Sequence, residues 1–283
     1  MDIATNPKLF SVTKQLWSAA YCHNGEKKEH LPSEKHFKWH PYGAFDCTKG
    51  YLYLDRIGYR LPTTLAQKLG DRINSHKKKK TRALQRSLTP HLDCCPERLF
   101  AETTKWRPIQ CFVSLTENLE ANLGGFEVAK GFHRNFDEWA QNRPPTIIEH
   151  VENGKKSMTS VPAPCMGEYT HIRPKEDREV MERVLHVPVP AGSAVFWDNR
   201  LPHANAYRHN GSSPRVVVYC SFLPDVERNR VYAKNQLNNW RTGRPPRDQW
   251  NHMEEDRIDG QDCNIQNYSF TNLGEKLMGI ESW

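Results

Sequence analysis

The sequence predicts a mainly β protein, a double-sheet or barrel-like fold decorated by helices. Short apolar or alternating runs predict the strands: PIQCFVSL at 108–115, VLHVPV at 184–189, SAVFW at 193–197 and RVVVYCSF at 215–222. Long connections separate them, which suits packed sheets with helices on the outside. No Gly-rich loop follows a strand in the way a dinucleotide or P-loop site requires.

The elements can be followed in order. A short amphipathic helix is expected around Leu9 to Ala20, inside an otherwise irregular extension covering residues 1–60. A second helix runs from about Pro62 to Lys80, with Leu65, Leu69 and Ile73 on one face. Arg82 to Thr89 is a strand candidate leading into PHLDCC. After the 108–115 strand, Gly124-Gly125 makes a turn into FEVAKG, another strand. Residues 134–184 read as an insertion, a helical piece FDEWAQ followed by a loop-like, Pro-containing stretch. The core is expected over 82–223, and 224–283 form a helical then irregular tail, all within one domain of 283 residues.

Composition narrows the class. At 37% hydrophobic the chain can bury a core, and its longest apolar runs are far too short to span a bilayer. The first ten residues lack a basic region followed by an apolar run, so a secretory signal is not expected and a cytoplasmic location is. Lys8-Leu9 and Gln15-Leu16 also resemble an N-terminal peroxisomal address, an alternative that an ordinary amphipathic helix explains equally. Eight scattered cysteines show no disulfide framework and are expected to be reduced. Cys22, His23, His30, His36, His40 and Cys47 fall close together but lack the tight Cys-x2-4-Cys knuckle of a structural zinc site. Much of the formal charge of +7 sits in Lys77 to Lys80, where it complements the end of a helix or, alternatively, meets an anionic partner such as nucleic acid.

The chemistry begins at Pro90-His91-Leu92-Asp93. Residues i and i+2 of a strand share a face, so one imidazole and one carboxylate can reach one ion. His203 in LPHANAY is the best third ligand, and two His with one carboxylate leave three open positions on iron(II). Alone, His-x-Asp is weak among thirteen histidines. Arg215, twelve residues beyond His203 at the start of RVVVYCSF, can project into the same cavity and offer a planar fork to a carboxylate. The alternative for Arg215 is a strand-end cation beside solvent.

Together HLD, VPAGSAVFWDNRLPHANAY, the Arg in SPRVVVYCSF and the intervening PIQCFVSLTENLEANLGGFEVAKGFHR resemble the phytanoyl-CoA dioxygenase-like branch of the 2-oxoglutarate oxygenases. The resemblance spans roughly 82–223 with its elements in order. It implies a double-stranded β-helix (jelly roll, cupin-like), iron(II) on His91, Asp93 and His203, and 2-oxoglutarate on Arg215. It implies O2 as second co-substrate, ascorbate as reductant, and release of succinate and CO2 as an unactivated C–H bond of a small organic substrate is hydroxylated. Asn205 and Gln110 become supporting groups for the co-substrate, with a loop amide and a strand hydrogen bond as their plain alternatives. His133 reads as a turn residue, and Cys94 and Cys95 as strand-end packing. The carboxylate of Asp93 favours hydroxylation over halogenation. Competing readings are an oxygenase of nucleic acid or protein side chains, motivated by the lysine run and by Arg241, Arg244 and Arg247, and a non-catalytic cupin-like metal-binding module. Substrate identity and oligomeric state do not follow from these residues.

Overall fold

The computed structural model describes residues 1–21, 45–75, 85, 90–94, 105–142, 146–152, 155–161, 165–166, 169–244 and 268–283. Helix α1 (Pro7–Ala20) starts where Asn6 accepts a hydrogen bond from the Lys8 N–H at 2.9 Å and proline takes the first turn, which needs no donor. Strand β1 (Gly50–Arg60) and helix α2 (Thr63–Ser75) follow. Next come β2 (His91–Leu92), β3 (Ile109–Ser114) and β4 (Phe126–Ala129). A 3-10 turn (Phe132–Arg134) and α3 (Phe136–Asn142) lead to β5 (Thr146–Glu152), β6 (Lys155–Val161), β7 (Cys165–Met166) and β8 (Tyr169–His171). Helix α4 (Arg178–Met181), β9 (Val184–His186), β10 (Ala194–Asp198), β11 (His203–Asn205) and β12 (Arg215–Pro224) complete the sheets. Helices α5 (Glu227–Arg241) and α6 (Asn272–Met278) close the chain, α6 capped by Thr271 at its start and by Gly279 at φ 73° at its end.

The architecture is mainly antiparallel β-sheet with a few flanking helices. One sheet has the order β1-β12-β3-β10, a second β7-β8-β2-β11-β4-β9, and β5-β6 form a separate hairpin. Strand alternation gives each sheet two faces with different jobs. On the four-stranded sheet, Leu52, Ile109, Cys111, Cys220 and Phe222 point outward and are covered by Leu9, Phe10 and Trp17 of α1 with Leu237, Leu277 and Met278. The other face presents Phe112, Trp197 and Val217 to Phe126 and Val128 of the second sheet. Leu92 and Ala129 on the far side of that second sheet pack against Phe132, Phe136, Trp139 and Val180. Cys47, Cys94, Cys111 and Cys220 are free thiols, and the sulfurs of Cys111 and Cys220 approach to 4.0 Å beneath the helices.

Two stretches differ from the sequence expectation. The segment 1–60 contains β1, a sheet strand along β12, although it reads as irregular. A register shift between Leu54 and Ile57 breaks the alternation of GYLYLDRIGYR and hides the period. The insertion 134–184 contains β5 to β8 rather than a loop-like stretch, and β8 joins the second sheet beside β2, pairing His171 with His91. An Asn-Gly dipeptide at 153–154 separates the β5 and β6 runs, a hairpin signal readable in the sequence. The α2 stripe is uncovered among the described residues, with Leu65 and Ile73 exposed and Ala66 making the buried contact. The Arg82–Thr89 strand apart from Gln85, the His-rich stretch from Cys22 to His40, the Lys77–Lys80 run, Cys95 and Arg247 lie outside the described residues. No helix among the described residues is long and apolar enough to cross a membrane.

Backbone packing is tightest at the β4 entrance. A Cβ on Gly125 would run into the Asn118 side-chain oxygen and come within 2.7 Å of His186 Cε1. Gly125→Ala is therefore expected to destabilise the fold by roughly 1–3 kcal/mol, the usual overpacking cost. A thermal melt would show the shift, and an unchanged midpoint would mean that Asn118 moves aside without cost.

Candidate metal centre

Two paired strands from separate parts of the chain build the site. His91 lies on β2 directly across from His203 on β11, and Asp93 follows β2 by one residue. The antiparallel pairing sets the two imidazoles side by side, with ring centroids 4.6 Å apart. Asp93 turns back between them, Oδ1 at 3.7 Å from His91 Nε2 and Oδ2 at 3.6 Å from His203 Nε2. One ligand atom from each of the three residues lies within 4.8 Å of the others, a spacing able to hold one ion. His203 is buried and Asp93 and His91 are partly buried.

Surrounding groups orient this set. His203 Nδ1 sits 2.9 Å from the Leu201 carbonyl; in the tautomer that donates there, Nε2 keeps its lone pair for a metal. Gln110 donates from Nε2 to Asp93 Oδ2 at 2.5 Å, and Arg107 approaches the same oxygen at 3.3 Å while also reaching Asp55 at 3.3 Å. Tyr169 stacks on His91 with centroids 4.6 Å apart. Trp197 and Phe126 lie against His203 at 5.1 and 5.9 Å, giving one side of the site an aromatic wall.

Burial pushes the Asp93 carboxyl up, but its hydrogen bond with His203 and the charges of His91, His203 and Arg107 outweigh that. The group is held well below the usual carboxylate range. Since its folded pKa lies below the unfolded one, ionised Asp93 stabilises the metal-free fold at neutral pH. That contribution disappears as pH falls through the unfolded and then the depressed folded value. Denaturant midpoints of the metal-free protein should drop on acidification, and Asp93→Asn should drop less steeply. Parallel profiles for the two proteins would contradict this account.

A second group lies at the start of β12. The Arg215 guanidinium is buried, 4% exposed, donates to Asn205 Oδ1 at 2.6 Å and lies 5.3 Å from the Phe112 ring centre. Asn205, two residues beyond His203 on β11, donates in turn to the Tyr219 hydroxyl at 3.1 Å. Among the described residues no carboxylate contacts Arg215, and burial lowers its pKa. A buried cation without an anionic partner is costly.

The structure thus brings His91, Asp93 and His203 together, places Gln110 on Asp93 and Asn205 on Arg215, and leaves His133 in a 3-10 turn outside this cluster. Sequence reasoning missed Arg107 and Tyr169. Arg107 stands three residues before Gln110 on the approach to β3, a position with no periodic signal. Tyr169 was hidden because its strand fell inside the supposed insertion.

Other proteins share this fold of antiparallel sheets. The GlcNAc inducible gene 2 protein of Candida albicans is 16% identical, with a TM-score of 0.65 over 100% of this chain and 64% of that one. A hypothetical protein from Escherichia coli is 15% identical, with a TM-score of 0.55 over 99% of this chain and 67% of that one. A Salmonella typhimurium LT2 protein described as a proposed oxidoreductase is 16% identical, with a TM-score of 0.53 over 99% and 65% of the two chains. The chain therefore spans slightly less than two thirds of the Candida protein, and at these identities the likeness is one of fold. No curated protein matches the sequence. A family model described as Gig2-like matches residues 136–278, about half the chain. The chain belongs to the Gig2-like family. That match corrects the resemblance to the phytanoyl-CoA dioxygenase-like branch.

Proposed function

We propose that this chain is an iron(II)- and 2-oxoglutarate-dependent dioxygenase that hydroxylates an unactivated C–H bond of a small organic substrate. The observation that carries the reading is the His91–Asp93–His203 cluster, two neutral-capable imidazoles and one carboxylate within 4.8 Å of one another. Three further features support it. The donor set leaves room for other ligands, the Arg215 guanidinium is buried with no carboxylate against it among the described residues, and the facing sheets fit a double-stranded β-helix. The Salmonella protein of the same fold carries an oxidoreductase description, which agrees in class.

The chain's own residues have distinct tasks in this reading. His91, Asp93 and His203 hold the metal, with Gln110 and the Leu201 carbonyl fixing the orientation of Asp93 and His203. Arg215, steadied by Asn205, grips the distal carboxylate of 2-oxoglutarate and so fixes its keto acid end towards the metal. Phe126 and Trp197 exclude water from one side of the reacting region. Together with O2, the bound metal and 2-oxoglutarate would supply oxidative decarboxylation to succinate and CO2, one oxygen atom of O2 entering succinate and the other the C–H bond.

The test is succinate release from 2-oxoglutarate by the iron-loaded protein under air, with and without a panel of small organic acids, amino acids and secondary metabolites. Release that requires added iron(II) and stops on chelation supports the proposal. No release above a protein-free control, with iron demonstrably bound, overturns it.

A further inference from the structure

The β1 register shift has a consequence inside the protein. Before it, Leu52 and Leu54 lie opposite Phe222 and Cys220 on the helix-covered face of the four-stranded sheet. After it, the even-numbered residues have changed sides: Gly58 stands opposite Val217 and Arg60 opposite Arg215. Ile57 and Tyr59 now take the outer face, 66% and 59% exposed. A one-residue irregularity thus turns a cationic side chain inward, directly across the ladder from Arg215.

Two guanidiniums directly opposite each other on neighbouring strands repel, and both are buried, Arg60 at 9% and Arg215 at 4% exposure. Burial lowers the pKa of each, and the charge of Arg60 lowers that of Arg215 further. His209 joins them. It is 4% exposed, and burial with both arginine charges holds its imidazole towards neutrality against a hydrogen bond with the Ser213 backbone. Its Nδ1 accepts from the Gly211 N–H at 3.3 Å. A Cβ on Gly124, at φ 73°, would come within 3.1 Å of both Arg60 Cδ and His209 Cδ2, so glycine keeps that space open. Glu127 is near enough to favour the charge on Arg60, while burial pushes its own carboxyl up.

We infer that Arg60 is a second arm for the anionic group held by Arg215, so that the two guanidiniums form one carboxylate clamp beside His209. The clamp rests on the co-substrate reading of Arg215 and deepens it. A carboxylate with four lone-pair sites can accept from two forks at once, and its charge relieves the cross-strand repulsion. The clamp makes the distal carboxylate a strict requirement, selecting dicarboxylates over monocarboxylic keto acids. The Arg60 Nη2 bond to the Tyr207 carbonyl, 2.6 Å, holds the arm in place.

The experiment measures affinity by calorimetry in two arms. Metal-free protein is titrated with glutarate, which has two carboxylates and no keto group, and with inorganic phosphate; manganese(II)-loaded protein is titrated with 2-oxoglutarate and with pyruvate. Wild-type protein is expected to prefer glutarate to phosphate and 2-oxoglutarate to pyruvate. Arg60→Met is expected to lose on the order of 10- to 100-fold in affinity for both dicarboxylates, as for a charged hydrogen-bond partner removed, while its pyruvate and manganese affinities stay unchanged. Arg60→Lys, which keeps the charge without the fork, should fall between the two. Wild-type affinity for both dicarboxylates in Arg60→Met overturns the clamp, and so does equal loss towards pyruvate, which marks a structural role. If glutarate binding depends on Arg60 but iron-loaded wild type never turns over 2-oxoglutarate, the clamp stands and the co-substrate reading falls. Phosphate preferred to glutarate, or no binding of either dicarboxylate by wild type, overturns the clamp as stated.

Discussion

Asp93→Ala is expected to abolish iron-dependent succinate release while leaving a folded protein. Asp93 supplies the single negative charge among the three candidate ligands and the oxygen that lies between His91 and His203. Loss of an outer partner of a metal ligand costs about 10- to 100-fold in metal affinity, and loss of the ligand itself should exceed that. The fold should survive, because Arg107 retains Asp55 at 3.3 Å and Gln110 stays on a strand paired on both sides. Anaerobic iron titration by calorimetry, paired with succinate quantification, reads both effects. Tight iron binding by Asp93→Ala would remove the basis for the proposed centre.

The second large effect is expected at Arg215. Replacing it with methionine keeps much of the apolar stem, removes the fork, and leaves Asn205 Oδ1 without its 2.6 Å donor. Truncating one member of a buried charge pair costs about 2–5 kcal/mol, so the Michaelis constant for 2-oxoglutarate should rise roughly 30- to 4,000-fold. Metal affinity should change little, since Arg215 contacts none of the three candidate ligands in any described interaction. The change removes a guanidinium that faces Arg60 and so relieves that repulsion; a Tm at or above the wild-type value is expected. Co-substrate kinetics indistinguishable from wild type would show that the guanidinium serves packing alone.

How far these features were legible depended on whether local pattern carried them. The strands around 109–114, 126–129, 194–198 and 215–224 follow alternation or continuous apolar runs, so period alone locates them. His91 and Asp93 were legible as an i, i+2 pair, and His203 and Arg215 through their order along the chain. What was not legible arises where distant segments meet. Arg60 enters the interior only because β1 slips register against β12, a relation that no window of sequence contains. Tyr169 reaches His91 because β8 pairs with β2, seventy-odd residues away in sequence. Arg107 acquires its role from a contact with Asp93, 14 residues earlier in the chain. The family was not legible in these few residues either: the Gig2-like match extends over 136–278, beyond any single motif.

The most direct measurement of the central claim is a crystal structure of the iron-loaded protein grown without oxygen, with anomalous scattering collected at the iron edge. The account predicts one strong anomalous peak, within bonding distance of His91, Asp93 and His203 together, with Arg215 facing the bound dicarboxylate when 2-oxoglutarate is added. A peak elsewhere in the chain, or well-ordered His91, Asp93 and His203 with no peak between them under saturating iron, would contradict it.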